Sequence, residues 1–229
     1  MADFVRQRGL SLALVVLVMS VDAIAQVSIS YTFAFGELRG LLGLDVTLAR
    51  IGYVTRIGIV ALMAVLWLLE RRRALLALVI VVNAYATLIL LLHTGLLASV
   101  LAGLSFRAIN QMFLDIVLMG ISNMLVFSIW YWIVDPPGVE GEQRPGERWA
   151  FLFPQRASAL PNFEGWQPRY ADYLFLAFTT SFAFSPTDTL PLTRAAKMLM
   201  LLQATISIVT LTGIAGSAIN ILAGAAARP

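Results

Sequence analysis

The sequence predicts an all-α fold, a polytopic bundle of transmembrane helices, and three observations carry that reading. The 229 residues are 59% hydrophobic, with a mean hydropathy of +0.84. Only 13% are charged, against about 25% in soluble chains. Several apolar runs are continuous over the roughly 20 residues that a membrane helix needs, whereas a β-barrel shows alternating segments of about ten residues. The chain has no cysteine, which removes disulfides, thiolate chemistry and cysteine-based metal sites. Its net charge of +3 reflects arginines that flank apolar runs. No base-reading motif is present, so the expected partner is the lipid bilayer and not a nucleic acid.

The elements follow in order. Arg6 and Arg8 precede an apolar run. A basic start of this kind also suits a signal peptide, but no small-residue cleavage site closes the run. Residues 10–35 are therefore expected to be the first span. A connector over 36–50 holds Glu37, Arg39, Asp45 and Arg50, with an interfacial core. The second span is expected over 51–69, ending at Glu70, Arg71, Arg72 and Arg73. The third covers about 74–92, with room to continue to 101. The fourth covers about 108–134 and ends in Trp130, Tyr131 and Trp132, aromatic residues of the kind found at headgroup level. Asp135-Pro136-Pro137-Gly138 stops that helix, since the residue before a proline leaves the α region. Residues 138–148 read as an exposed linker, and the aromatic stretch 149–154 is expected to rest on the membrane surface. The last span is expected over about 195–225.

The stretch from Tyr170 to Leu202 does not fit a plain bundle. Its apolar part, residues 173–184, is about twelve residues long and too short to cross, so it predicts a re-entrant or interfacial helix. Thr179, Thr180, Ser181, Pro186, Asp188 and Pro191 follow, and then a long apolar run. Non-helical backbone at membrane depth is tolerated only where protein buries it or water lines it.

Phe178-Thr179-Thr180, then Asp188-Thr189-Leu190-Pro191-Leu192-Thr193-Arg194 and Lys197, resemble the pore segment of the potassium-channel-like superfamily. That segment reads F-T-T-V-G-Y-G-D-x-x-P-x-T with a basic residue after it. The chain looks like a bacterial integral-membrane branch of that superfamily with a degenerate selectivity filter. The resemblance covers about 30 residues, or roughly 90 with the preceding helix. It implies a C-terminal ion-channel-like pore module of helix, short re-entrant pore helix and helix over residues 105–229, including the 135–170 extramembrane linker. Three N-terminal spans over residues 1–104 would precede it. It also implies a homotetramer, because one such module supplies a quarter of a pore.

The linker departs from the family. Ser181, Phe182, Ala183, Phe184, Ser185, Pro186 and Thr187 include no glycine, and phenylalanine at positive φ is a conformational outlier. A pore here would be lined by Thr179, Thr180, Ser181, Ala183 and Ser185, with Asp188 at its mouth and Phe182 and Phe184 as a hydrophobic gate. Each has a plainer alternative. The hydroxyls bond back to the backbone one turn earlier. Asp188 caps the final helix. The two phenylalanines plug the segment against neighbouring helices.

Other polar residues inside apolar runs are Asp22, Asn83 and Asp115. Charge at the bilayer centre costs about 2.5–3.5 kcal/mol, so these residues are expected to have partners. Arg56 and Arg107 are candidates, and a proton relay is the alternative. His93 stands alone and reads as interfacial. Gly213, Gly216, Ser217, Asn220 and Gly224 share one face of the last span, a signature of close helix packing. No arginine recurs at every third position, which excludes a voltage sensor. No catalytic constellation, phosphate loop or metal-ligand set is present, so neither enzyme chemistry nor a cofactor is expected.

Topology pulls in two directions. The positive-inside rule puts Arg71–Arg73 and the N-terminus in the cytoplasm, which places the 135–170 linker there too. A pore loop of the potassium-channel type enters from outside. The conflict is resolved by residues 171–190 crossing completely, by one early span not crossing, or by the rule being overridden. The pore resemblance favours the last, with five spans, the N-terminus outside and the C-terminus inside. The expected function is a cation channel or channel-like protein of a bacterial inner membrane. The alternative is a non-conducting structural or accessory subunit of a membrane complex.

Overall fold

A computed structural model describes residues 15, 17–22, 46–69, 71–102, 113–135, 148–157, 163, 165–183 and 188–226. The helices are α1 (Val46–Leu68), α2 (Arg72–Ala102), α3 (Phe113–Val134), the single turn α4 (Pro154–Ala157), α5 (Tyr170–Ala183) and α6 (Arg194–Ala226). Residues 15 and 17–22 are also helical. The two short strands are β1 (Phe151–Leu152) and β2 (Leu190–Pro191).

Among the described residues, three helical stretches are long and apolar enough to cross a membrane: Ala74–Ser99, Phe113–Val134 and Arg194–Ile219. The second expected span falls within helix α1, which begins earlier, at Val46, inside the expected connector; among its described residues Ile57–Leu68 is an apolar stretch. The first expected span lies mostly outside the described residues, as does the expected domain boundary at 104/105. The chain divides into two compact units, Met1–Val18 with Met124–Thr205 and Met19–Asn123 with Ile206–Pro229.

In the second unit, α1 packs against α2. The turn between them is tight: the Leu69 amide bonds to the Val65 carbonyl at 2.9 Å and the Arg71 amide to the Leu66 carbonyl at 3.0 Å. Of the small residues expected to give close packing on α6, Gly213 is closely approached, whereas a Cβ on Gly216 would meet nothing within 4 Å. A Cβ on Gly213 would lie 3.2 Å from two side-chain carbons of Ile116 and 3.4 Å from Leu97 Cδ2, so α6, α3 and α2 meet there. One turn and a half earlier on α6, Ser207 Oγ accepts a bond from Asn123 Nδ2 at 2.8 Å.

In the first unit, α3 stops at Val134, immediately before Asp135-Pro136, where proline excludes helix at the residue before it. The chain then returns through β1, which pairs antiparallel with β2 in the register Phe151 opposite Pro191 and Leu152 opposite Leu190. The Leu192 amide extends this ribbon with a 2.8 Å bond to the Ala150 carbonyl. In the stretch 149–154, expected at the membrane surface, Ala150, Phe151 and Phe153 are buried within the unit. Gly165 turns the chain towards α5 with φ +69°, a conformation that favours glycine. At the α5 start, the Asp172 carboxylate reaches back to the Arg169 amide at 2.6 Å, one half of a capping box.

Candidate functional site

The candidate site is α5 and the segment that follows it. At 14 residues, α5 rises about 21 Å and does not span a hydrocarbon core of about 30 Å. Its position is fixed at both ends by buried polar side chains.

At the α5 start, the anchor is Asp135, which is wholly buried. Its Oδ1 accepts the Ala150 amide at 2.8 Å and the Phe151 amide at 3.4 Å. Its Oδ2 accepts the Tyr173 hydroxyl at 2.6 Å and Arg156 Nη1 at 3.0 Å. Arg156 also donates to the Phe151 carbonyl at 2.9 Å. Its guanidinium lies 5.0 Å from the Trp149 ring centroid and 5.5 Å from that of Phe153, close enough for cation–π attraction. One carboxylate therefore joins the end of α3, the linker and the first turn of α5. Burial, and next the Asp135 carboxylate, pushes the Tyr173 phenol well above its ordinary range, so it stays a donor. A second tie is the 2.6 Å hydrogen bond between Ser128 and Tyr170.

Towards the α5 end, the anchor is Gln203 on α6, also wholly buried. Its Nε2 donates to the Ala177 carbonyl at 2.7 Å and to Ser181 Oγ at 2.8 Å. Its Oε1 accepts the Tyr131 hydroxyl of α3. One carboxamide thus holds three helices.

The expected pore residues separate into groups. Thr180 is buried and bonds to the Leu176 carbonyl at 2.8 Å, and Ser181 is buried as the acceptor from Gln203. Both hydroxyls are engaged inside one chain. Thr179 is half-buried and bonds back to the Phe175 and Leu176 carbonyls at 3.1 and 3.0 Å, the plainer alternative for a helix hydroxyl. Phe182 is exposed, with its ring centroid 4.8 Å from that of Phe178, so it does not plug against helices of its own chain. Ala183 ends α5, and Phe184 and Ser185 lie outside the described residues. Asp188 is exposed, six residues before α6, and does not cap that helix. The cap is Thr193, whose Oγ1 accepts the Ala196 amide at 3.2 Å, because the ribbon occupies Leu190 and Pro191 and delays the helix start.

Asp22, Asn83 and Asp115 are buried in the second unit. The side chains of their expected partners Arg56 and Arg107 lie outside the described residues. His93 is buried, and α2 continues nine residues beyond it, to Ala102. Among the described residues, no group of three or more His, Cys, Asp or Glu is arranged to hold a metal ion.

The class these features define is a helical membrane-embedded protein, with three helices able to span among the described residues and a short buried-anchor helix between the last two of them. No protein-family model, curated protein or solved structure matches the chain.

Proposed function

We propose that the protein is a cation channel or channel-like protein of a bacterial inner membrane, a homotetramer with the non-standard filter TTSFAFSPTD. The observation that carries this reading is α5: a helix too short to cross, clamped between two spans by Asp135 and Gln203, and followed by a short segment that leads into the last span. That order, span, short helix, short segment, span, is the order of a pore module. Asp188, exposed after α5, is the mouth charge that would concentrate cations. The five-span topology with the linker outside belongs to the same proposal, and no catalytic chemistry is assigned.

A second reading has its own support. Thr180 and Ser181 spend their hydroxyls on internal bonds, and the linker has no glycine. Both suit a subunit that holds a membrane complex together without conducting. Flux from liposomes containing the full-length chain separates the two, with potassium, sodium and caesium as probes. The channel reading expects flux above that of empty liposomes, lowered by Asp188→Asn. No flux for any of the three cations would favour the non-conducting subunit.

A further inference from the structure

The two ends of α5 are held in different ways. At its start, Tyr173 and Tyr170 reach Asp135 and Ser128 through long phenol side chains. Ties of that length tolerate some rotation of the backbone that carries them. Near its end, Gln203 of α6 spends both amide protons on α5. One goes to the Ala177 carbonyl at 2.7 Å and the other to Ser181 Oγ at 2.8 Å. The first acceptor is backbone and the second is a hydroxyl one carbon from it. They stand four residues apart, one above the other on a single line of the helix. One bond would fix a distance. Two bonds from one planar carboxamide also fix the rotation of that line about the α5 axis. The carboxamide is itself held from α3, since its Oε1 accepts the Tyr131 hydroxyl. Gln203, Ala177 and Ser181 are all buried, which strengthens such bonds.

Rotation matters because of the residues that come next. Phe178 and Phe182 each directly follow one of the two gripped residues, and one residue advances about 100° around a helix. The gripped line therefore dictates where the phenylalanine line points. Both phenylalanines are exposed within the chain, and their rings pair at 4.8 Å between centroids. Phe182 is also the last described side chain before the segment that leads to Asp188.

We propose that Gln203 is a positioning residue: through Ala177 and Ser181 it fixes the rotation of the last turn of α5, and so the direction in which Phe178 and Phe182 face the cation path. The path itself rests on the channel reading, and the inference names the α6 residue that shapes its constriction. Hydrogen–deuterium exchange of the full-length chain in nanodiscs, read by mass spectrometry, compares the native chain with Gln203→Leu, Ser181→Ala and Thr205→Ala. Thr205 is the control, exposed on α6 and bonded to the Leu201 carbonyl of its own helix. Exchange over residues 177–183 should rise about tenfold in Gln203→Leu, as local opening becomes easier. It should rise less in Ser181→Ala, which keeps Gln203 and its bond to Tyr131, and not at all in Thr205→Ala. Residues 170–175 should stay within about twofold throughout. No rise over 177–183 in either α5-tie variant, or a rise shared equally by the whole of α5, would overturn the proposal. Ser181→Ala decides the matter should Gln203→Leu fail to fold. In liposomes, the ratios of potassium, sodium and caesium flux should shift several-fold in the loosened variants. Loosening with native flux ratios would also overturn the proposal. Loosening in a chain that passes no cation would retire the channel reading and keep Gln203 as the residue that orients α5.

Discussion

Replacing Asp135 by asparagine preserves the shape of the side chain and removes its charge. The carboxylate receives four donors, from Ala150, Phe151, Arg156 and Tyr173. An amide can present its oxygen to the two backbone amides or to the Arg156–Tyr173 side, and its NH2 then faces donors on the other. The Arg156 side chain is almost wholly buried, so its charge would lose its counterion in a dry site. Breaking a buried pair from one side costs about 3–5 kcal/mol. For a chain of this length, that corresponds to a fall in Tm of about 6–20 °C. The assay is thermal unfolding in detergent micelles, followed by tryptophan fluorescence, since Trp149 and Trp166 border the cluster. Adding Arg156→Met to Asp135→Asn removes the stranded charge and should recover part of the loss, giving a coupling of about 1–3 kcal/mol in a double-mutant cycle. An Asp135→Asn protein melting within about 2 °C of the native chain would refute the claim that this carboxylate anchors α5, being less than a 1 kcal/mol effect.

Three other outcomes follow from the same contacts, all read as thermal stability in detergent. Thr193→Ala should cost about 1 kcal/mol through the lost cap, while Asp188→Ala, at an exposed position, should stay within about 0.5 kcal/mol; the reverse order would restore the cap to Asp188. Gln203→Leu removes the acceptor of the Tyr131 hydroxyl and should cost about 1–3 kcal/mol, and Tyr131→Phe in the same chain should return part of that. The raised Tyr173 phenol contributes stability that is full below the unfolded value of about 10 and is lost as pH rises beyond it towards the folded value. Tyr173→Phe should therefore flatten the decline in melting temperature above pH 10.

The helices were legible wherever one local rule sufficed. The end of α3 follows from Asp135-Pro136, and the long apolar runs mark the three helices able to span among the described residues. The shortness of α5 was visible because hydroxyls and Pro186 interrupt its run. Gly213 announced a close approach by its spacing with Gly216 and Ser217. Pairings across the chain were not legible. Asp135 reads locally as a helix stop, and nothing near it names Arg156 or Tyr173 as partners 21 and 38 residues away. Residues 149–154 look interfacial because tryptophan and phenylalanine favour headgroups and cores alike, and their pairing with a strand 39 residues later has no local signal. Asp188 resembles a cap because its distance from the helix start depends on that same ribbon. Gln203 carried a readable signal, a carboxamide inside an apolar span that called for a partner just as Asn83 did.

The most direct test of the channel-like account is the number of subunits, measured by native mass spectrometry of the full-length protein released from nanodiscs. A homotetramer, at four times the 25.0 kDa of one chain, is the predicted result; it would set four copies of α5 and Asp188 around one axis. A monomer at 25.0 kDa, or association only with other proteins, would contradict the account and leave α5 as a buried brace within a single bundle.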